Sequence, residues 1–571
     1  MTSPATGRLG PAERSEAWER LGAETFDLVI IGGGVVGVGA ALDAATRGLR
    51  VALVEARDLA SGTSSRSSKL FHGGLRYLEQ LEFGLVREAL RERELMLTRI
   101  APHLVKPVAF LYPLAHRLWE RPYTAAGLLM YDTMGGARSV PGQKHLSRAG
   151  ALRMVPALKP DALVGGIRYY DAQADDARHT MMVGRTAAHY GAVVRTSTQV
   201  VGFLREADRV SGVRVRDVED GREVDVRAHA VINATGVWTD ELQRLSGSRG
   251  RFRVRASKGV HIVVPRDRIV SEAGLILRTE KSVLFVIPWR NHWIVGTTDT
   301  DWNLDLAHPA ATRADIDYVL EHVNSVLATP LTHEDIEGVY AGLRPLLAGE
   351  SESTSKLSRE HAVARVAPGL VAIAGGKYTT YRVMGADAVD AAGVDLPGRL
   401  QPSITDKVPL VGADGYHALV NQADQLATRY GLHPYRVRHL LDRYGSLVHE
   451  VLNTANPDLL KPVPAAPDYL QVEVVYAASH EGALHLEDVL TRRTRISIEY
   501  PHRGVECAEP VARLMAGVLG WDDDRVSHEV TVYTARVEAE RASQAEPDDQ
   551  AADAVRSSAP EARPQLTEPV S

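Results

Sequence analysis

The residues best suited to chemistry crowd into one short stretch. Ser61-Gly62-Thr63-Ser64-Ser65-Arg66-Ser67-Ser68-Lys69-Leu70-Phe71-His72-Gly73-Gly74-Leu75-Arg76-Tyr77 brings together flexible backbone, small hydroxyls, three cations and a histidine. Such a set reads as a site that cradles a cofactor and meets a substrate: hydroxyls and glycine N–H groups for oxygens, cations for an anion, an imidazole for a proton.

The elements that must position this loop precede it. Phe26-Asp27-Leu28-Val29-Ile30-Ile31 has the apolar character of a buried strand and stops at Gly32-Gly33-Gly34-Val35-Val36-Gly37, which fits G-x-G-x-x-G. An Ala- and Val-rich helical stretch follows, then a second strand, Val51-Ala52-Leu53-Val54, ending in Glu55. Gly32 allows the tight turn, Gly34 lets backbone N–H groups approach a pyrophosphate, and Gly37 lets helix and strand pack closely. Glu55 stands roughly 20 residues past the first glycines, where an acid accepts ribose hydroxyls and disfavours a 2′-phosphate. Val231-Ile232-Asn233-Ala234-Thr235-Gly236-Val237-Trp238 is a second strand-to-turn approach, in which Ala234 and Gly236 would lie near the cofactor. A substrate-type loop so soon after a dinucleotide unit points to a flavin.

Residues 32–55, the loop from Gly62 to Tyr77, Lys258-Gly259-Val260-His261, Gly296-Thr297-Thr298-Asp299, Ala341-Gly342-Leu343-Arg344-Pro345 and Gly375-Gly376-Lys377-Tyr378-Thr379-Thr380-Tyr381-Arg382 together resemble the FAD-dependent glycerol-3-phosphate dehydrogenases in order and spacing, over roughly residues 26–535. The resemblance implies an α/β fold with FAD as cofactor. Its FAD-binding, Rossmann-like domain of the glutathione-reductase type is interleaved with an antiparallel-sheet substrate domain across residues 26–400. It implies cofactor contacts from Thr63, Ser64, Ser67, Lys69, Gly73, Gly74, Gly376, Tyr378 and Thr379 beside those of the first unit.

Oxidising a secondary alcohol by flavin requires a proton acceptor, a hydride acceptor and cations for the phosphate. The resemblance makes Arg344 a phosphate ligand, with Arg76 and Tyr77 in the same pocket and Arg359 as a second contact. It places Lys377 at the flavin pyrimidine edge or the substrate oxygen. Thr298 would support the substrate. Two histidines compete as the base: His261 on a strand, facing the substrate hydroxyl, and His72 in the loop. The implied reaction converts sn-glycerol 3-phosphate to dihydroxyacetone phosphate and hands electrons to a membrane quinone. A flavin oxidase using oxygen or an amine substrate, and a non-catalytic flavin-binding protein, are the alternatives.

Composition narrows the classes. Lys and Arg number 66 against 72 acids, a net charge of −6, which argues against a nucleic-acid binder. Cys507 is the single cysteine, so disulfide frameworks, cysteine-ligated zinc and iron–sulfur clusters are excluded and no metal site is expected. The N-terminal 25 residues lack the apolar core of a signal peptide, and the longest apolar stretch falls short of the ~18 residues of a membrane span. The expected location is the cytoplasm, peripheral on the membrane's cytoplasmic face, and a homodimer is compatible with it. Two stretches offer membrane anchors: His116-Arg117-Leu118-Trp119-Glu120-Arg121-Pro122-Tyr123 with the apolar run after it, and a basic patch at Tyr435-Arg436-Val437-Arg438-His439-Leu440 with Arg443. Residues 401–537 read as a separate helical domain, with helices at 415–430, 435–444 and 484–493. Residues 538–571, rich in Ala, Glu, Ser, Pro and Gln, are expected to be disordered.

Overall fold

The computed structural model describes residues 7–74, 82–115, 124, 127–128, 130–131, 139–247, 252–279, 283–348, 360–563 and 566. An apolar strand without a polar face needs cover on both sides, and a parallel sheet provides it. Strand β1 (Thr25–Ile31) runs into helix α1 (Val35–Thr46) and β2 (Val51–Val54). Parallel neighbours of β1 are β2 and β3 (Glu223–Asn233), with Ile31 opposite Val54 on one side and Asn233 on the other. Leu370–Gly375 extends this sheet beyond β3 and Val193–Arg195 beyond β2. Almost all of α1 is small and buried, which admits the helix Tyr381–Ala392 at close range: a Cβ on Gly385 would meet Ala40 N at 2.7 Å.

The second sheet is largely antiparallel and carries the reactive side chains. Strand β4 (Val254–Pro265) pairs with β5 (Gly338–Leu347), setting Ser257 opposite Arg344 and Gly259 opposite Gly342. On its other edge His261 stands opposite Gly296. Residues 257, 259 and 261 share one face by the two-residue period of a strand, so the register delivers His261 and Arg344 to the same side. A Cβ at Gly259 would meet Arg344 Nη2 and Thr297 Oγ1, each at 2.6 Å; glycine there is what lets Arg344 lie across the strand.

The C-terminal part is helical, with its own core of Val474, Leu490, Val511, Met515 and Tyr533. The helix Asp176–His189 is capped by Asp175, which accepts from Arg178 N. Two expectations need correction. The basic patch of 435–443 is narrower than expected: His439 and Arg443 turn inward, His439 onto Glu473 at 2.9 Å and Arg443 onto Asp175 at 3.4 Å, while Tyr435 and Arg438 stay exposed. Residues 538–563 are ordered. Helix α2 (Asp523–Ser543) continues into it, and α3 (Asp549–Ser557) follows with Ala552 and Arg556 buried. Its charges are spent on internal pairs such as Arg563 with Asp488 at 3.1 Å rather than on solvation, so low hydrophobicity did not mean disorder. Trp119 and residues 116–123 around it lie outside the described residues; in the apolar run after them Leu128 is buried and Met130 exposed.

Candidate functional site

A cavity of about 1100 Å³ opens over the β1–α1 turn and runs to the face of the second sheet. At its nucleotide end the wall holds Gly32, Gly34, Glu55, Ala234 and Gly236. Gly32 has φ 110°, a turn only glycine makes without strain. A Cβ at Gly34 would find no neighbour nearer than Ser64 Oγ at 3.4 Å, so that backbone faces open cavity, whereas a Cβ at Gly37 would strike the Gly32 carbonyl oxygen at 1.9 Å. Ser64 Oγ accepts from Val35 N at 2.9 Å, which ties the loop to the start of α1. Glu55 accepts from the N–H of Gly33 at 2.6 Å and of Arg57 at 2.8 Å; burial pushes its carboxyl up against these bonds. Backbone N–H groups at a helix start, an acid at the end of β2 and a side chain-free approach fit a dinucleotide pyrophosphate and ribose.

The other end gathers His72, His261, Arg344 and Lys377 on the same wall. His261 is 2% exposed. Its Nε2 meets Ser68 Oγ at 2.9 Å and its ring stacks on Tyr340 at 4.7 Å between centroids. Burial first, then the charges of Arg344 and Lys69, hold its pKa well below the usual 6.5, so the imidazole is neutral and able to accept a proton. Arg344 donates to the Thr298 carbonyl oxygen at 3.3 Å and lies 3.6 Å from Asp299, with its side chain still partly open to the cavity. Lys377 follows two glycines in left-handed conformation, Gly375 and Gly376, and shares the wall with Gly376, Tyr378 and Thr379. Thr379 Oγ1 accepts from His72 N at 3.2 Å, joining this turn to the loop.

Of the loop residues, Thr63, Ser64 and Ser67 reach the cavity. Lys69 does not. Its Nζ is buried on Asp176 at 2.9 Å and on the Ser65 carbonyl at 3.1 Å, making it a brace behind the loop rather than a cofactor ligand. Gly73 also sits behind the wall, where a Cβ would collide with Tyr131 and Leu90; Gly74 is absent from the cavity lining. Thr298 is turned away too, its hydroxyl accepting from Val260 N at 3.0 Å, and it serves the site by holding Arg344 with its carbonyl. Arg76, Tyr77 and Arg359 lie outside the described residues.

The sequence reading missed Asp176, which anchors the loop by accepting from Ser67 Oγ at 2.7 Å, from Lys69 and from Arg495. Local pattern likewise assigns no role to Ser68 and Arg66 or to the cavity-lining Asp553, Arg556 and Glu561. Nothing in local pattern ties the last three to a site some 500 residues earlier; only tertiary packing does.

Comparison with known proteins agrees with this geometry. Residues 27–382 match the family described as FAD dependent oxidoreductase, and residues 403–526 match the C-terminal domain of alpha-glycerophosphate oxidase. A glycerol-3-phosphate dehydrogenase of Mycobacterium leprae is 71% identical over 100% of this chain and 98% of its own. The human mitochondrial glycerol-3-phosphate dehydrogenase is 36% identical over 91% of this chain and 74% of its own. Among solved structures, the glycerol-3-phosphate dehydrogenase from Bacillus halodurans complexed with FAD superposes with a TM-score of 0.77 at 28% identity, covering 93% of this chain and 98% of that one.

Proposed function

The chain belongs to the FAD-dependent oxidoreductase family, and from that premise we propose that it oxidises sn-glycerol 3-phosphate to dihydroxyacetone phosphate and passes the electrons to a membrane quinone. FAD is its cofactor and supplies the hydride acceptor. The observation that carries the reading is that Arg344, opposite Ser257, lies across Gly259 on the face that also bears His261, which puts a neutral base and a cation on one cavity wall.

Arg344 takes the substrate phosphate, with Lys377 as a further positive group. His261 takes the hydroxyl proton on Nε2, the nitrogen that meets Ser68, itself a wall residue. A bound phosphate offsets the Arg344 charge that, after burial, helps depress His261, which removes part of the electrostatic opposition to protonating the ring.

Among the described residues no helix is long and apolar enough to cross a membrane. A quinone acceptor would then be met by peripheral contact with the cytoplasmic face of the bilayer. A second reading, oxygen as acceptor, is raised by the oxidase in the description of the C-terminal match. Hydrogen peroxide yield during turnover separates the two. The central test is anaerobic addition of glycerol 3-phosphate to the purified yellow protein: bleaching of the flavin band is expected, and an unchanged spectrum would overturn the substrate assignment.

A further inference from the structure

The cavity wall is completed by residues that lie beyond both family matches, the second of which ends at residue 526. Asp553, Arg556, Ser557, Ala559, Glu561 and Leu566 all face it. This segment is clasped from both banks. On the substrate-sheet side Lys258 pairs with Asp549, Asp305 N donates to Asp553 at 3.2 Å, and His308 meets Glu561 at 2.7 Å. On the nucleotide side Arg57 pairs with Glu561 at 2.9 Å and Arg563 donates to Ser197 Oγ at 2.8 Å. Arg57 and Ser197 follow Glu55 and the strand Val193–Arg195, so the segment bridges the mouth between the two sheets.

Charge says what lies beneath it. Arg66 is on the cavity wall, donates to the Ala307 carbonyl at 2.8 Å and forms no ion pair among the described residues. Burial, and after it the charge of Arg556, push the Arg66 guanidinium down to about 10. Arg556 is also lowered, by burial first and then by Arg536, although Glu540 lies 3.7 Å away. Two desolvated guanidinium groups that repel each other across a cavity are relieved by an anion between them. Arg66 is two residues from Ser64, which is bonded to the first turn of α1, where the pyrophosphate of a dinucleotide is expected. The substrate phosphate is assigned instead to Arg344, on the second sheet.

We propose that residues 549–561 form a strap of the cofactor site: Arg556 joins Arg66 in holding the diphosphate of FAD, and the strap must lift before FAD can enter or leave. The proposal concerns cofactor binding and does not depend on which substrate is oxidised.

The test follows FAD association and release by flavin fluorescence in the full chain, in Arg556→Gln, in Arg556→Lys and in a chain ending at Ala545. Arg556→Gln should release FAD faster by on the order of tenfold or more, and Arg556→Lys should restore part of the retention. The shortened chain should both bind and release FAD faster, as expected when a cover is gone. Ala554→Ser, exposed on the same helix, is the control and should match the parent. FAD release within about two-fold of the parent in Arg556→Gln would overturn the proposal, whether or not the shortened chain folds. Unchanged FAD release with a raised KM for glycerol 3-phosphate would also overturn it, by giving the cation pair to the substrate. Absence of flavin bleaching by glycerol 3-phosphate, with faster FAD release in the variants, would sink the substrate reading and leave the strap standing.

Discussion

Ser68 Oγ and His261 Nε2 are 2.9 Å apart, so the loop that approaches the cofactor also fixes the ring proposed as the proton acceptor. Tyr340 completes the clamp, stacking on His261 and donating its hydroxyl to the Ser67 carbonyl at 3.0 Å. Removing the base should lower kcat by ~10²–10⁴ in His261→Ala, with partial recovery as pH rises. Ser68→Ala should cost less, on the order of tenfold, and should alter the acid limb of the pH–rate profile because Nε2 loses its partner. Steady-state kinetics from pH 5 to 9 checks both. If His72→Ala takes the large loss and His261→Ala does not, the base is His72.

The role proposed for Arg344 is on the phosphate and not on the chemical step. Losing a charge-assisted bond to phosphate costs on the order of 1.5–3 kcal/mol, so Arg344→Ala should raise KM by roughly ten- to a hundredfold with kcat less affected. The preference for glycerol 3-phosphate over glycerol should fall with it. A KM equal to the parent's places the phosphate elsewhere on the wall.

Gly34 and Gly37 are three residues apart and should fail differently. The Gly34 side chain position opens into the cavity, so Gly34→Val should give a folded protein that does not retain FAD. In Gly37→Val the new Cβ would strike the Gly32 carbonyl, a backbone atom 1.9 Å away, and the chain should lose stability with or without FAD. Flavin content and thermal melts of the two variants separate the roles; full flavin in folded Gly34→Val contradicts the first.

The nucleotide unit was legible because each part of it is local: an apolar strand, three spaced glycines, and an acid at the end of the next strand. His261 and Arg344 were legible only as family positions, since what unites them is the β4–β5 register, which sets residues 257 and 344 opposite each other across more than 80 intervening positions. Lys69 misled for a physical reason. A cation among serines and glycines looks like an anion ligand, and its true partner, Asp176, comes from a helix start with no pattern linking it to the loop. The tail misled through composition, which counts charged residues as solvated and cannot see that Glu561 and Arg563 are paired inside the fold.

His485 ties the C-terminal helices to the nucleotide-binding sheet and should make that junction sensitive to alkali. It is fully buried, with Nδ1 2.9 Å from Glu529 on α2 and Nε2 3.0 Å from Glu219 in the turn before β3. Burial and Arg563 oppose its charge, yet the hydrogen bonds to Glu219 and Glu529 prevail and raise its pKa to about 9. The unfolded chain has a histidine pKa of about 6.5. A group raised on folding stabilises the native state fully below the unfolded value and loses that contribution as pH rises through the folded one, so the window here runs from about 6.5 to about 9. The parent should therefore lose stability on the order of 2–3 kcal/mol across this window from His485 alone, while His485→Gln, already less stable at pH 6, should show a flatter profile. Denaturant melts at pH 6, 7.5 and 9.5 decide it: parallel pH profiles for the two proteins would mean that His485 is neutral in the fold and that the junction is held by its packing.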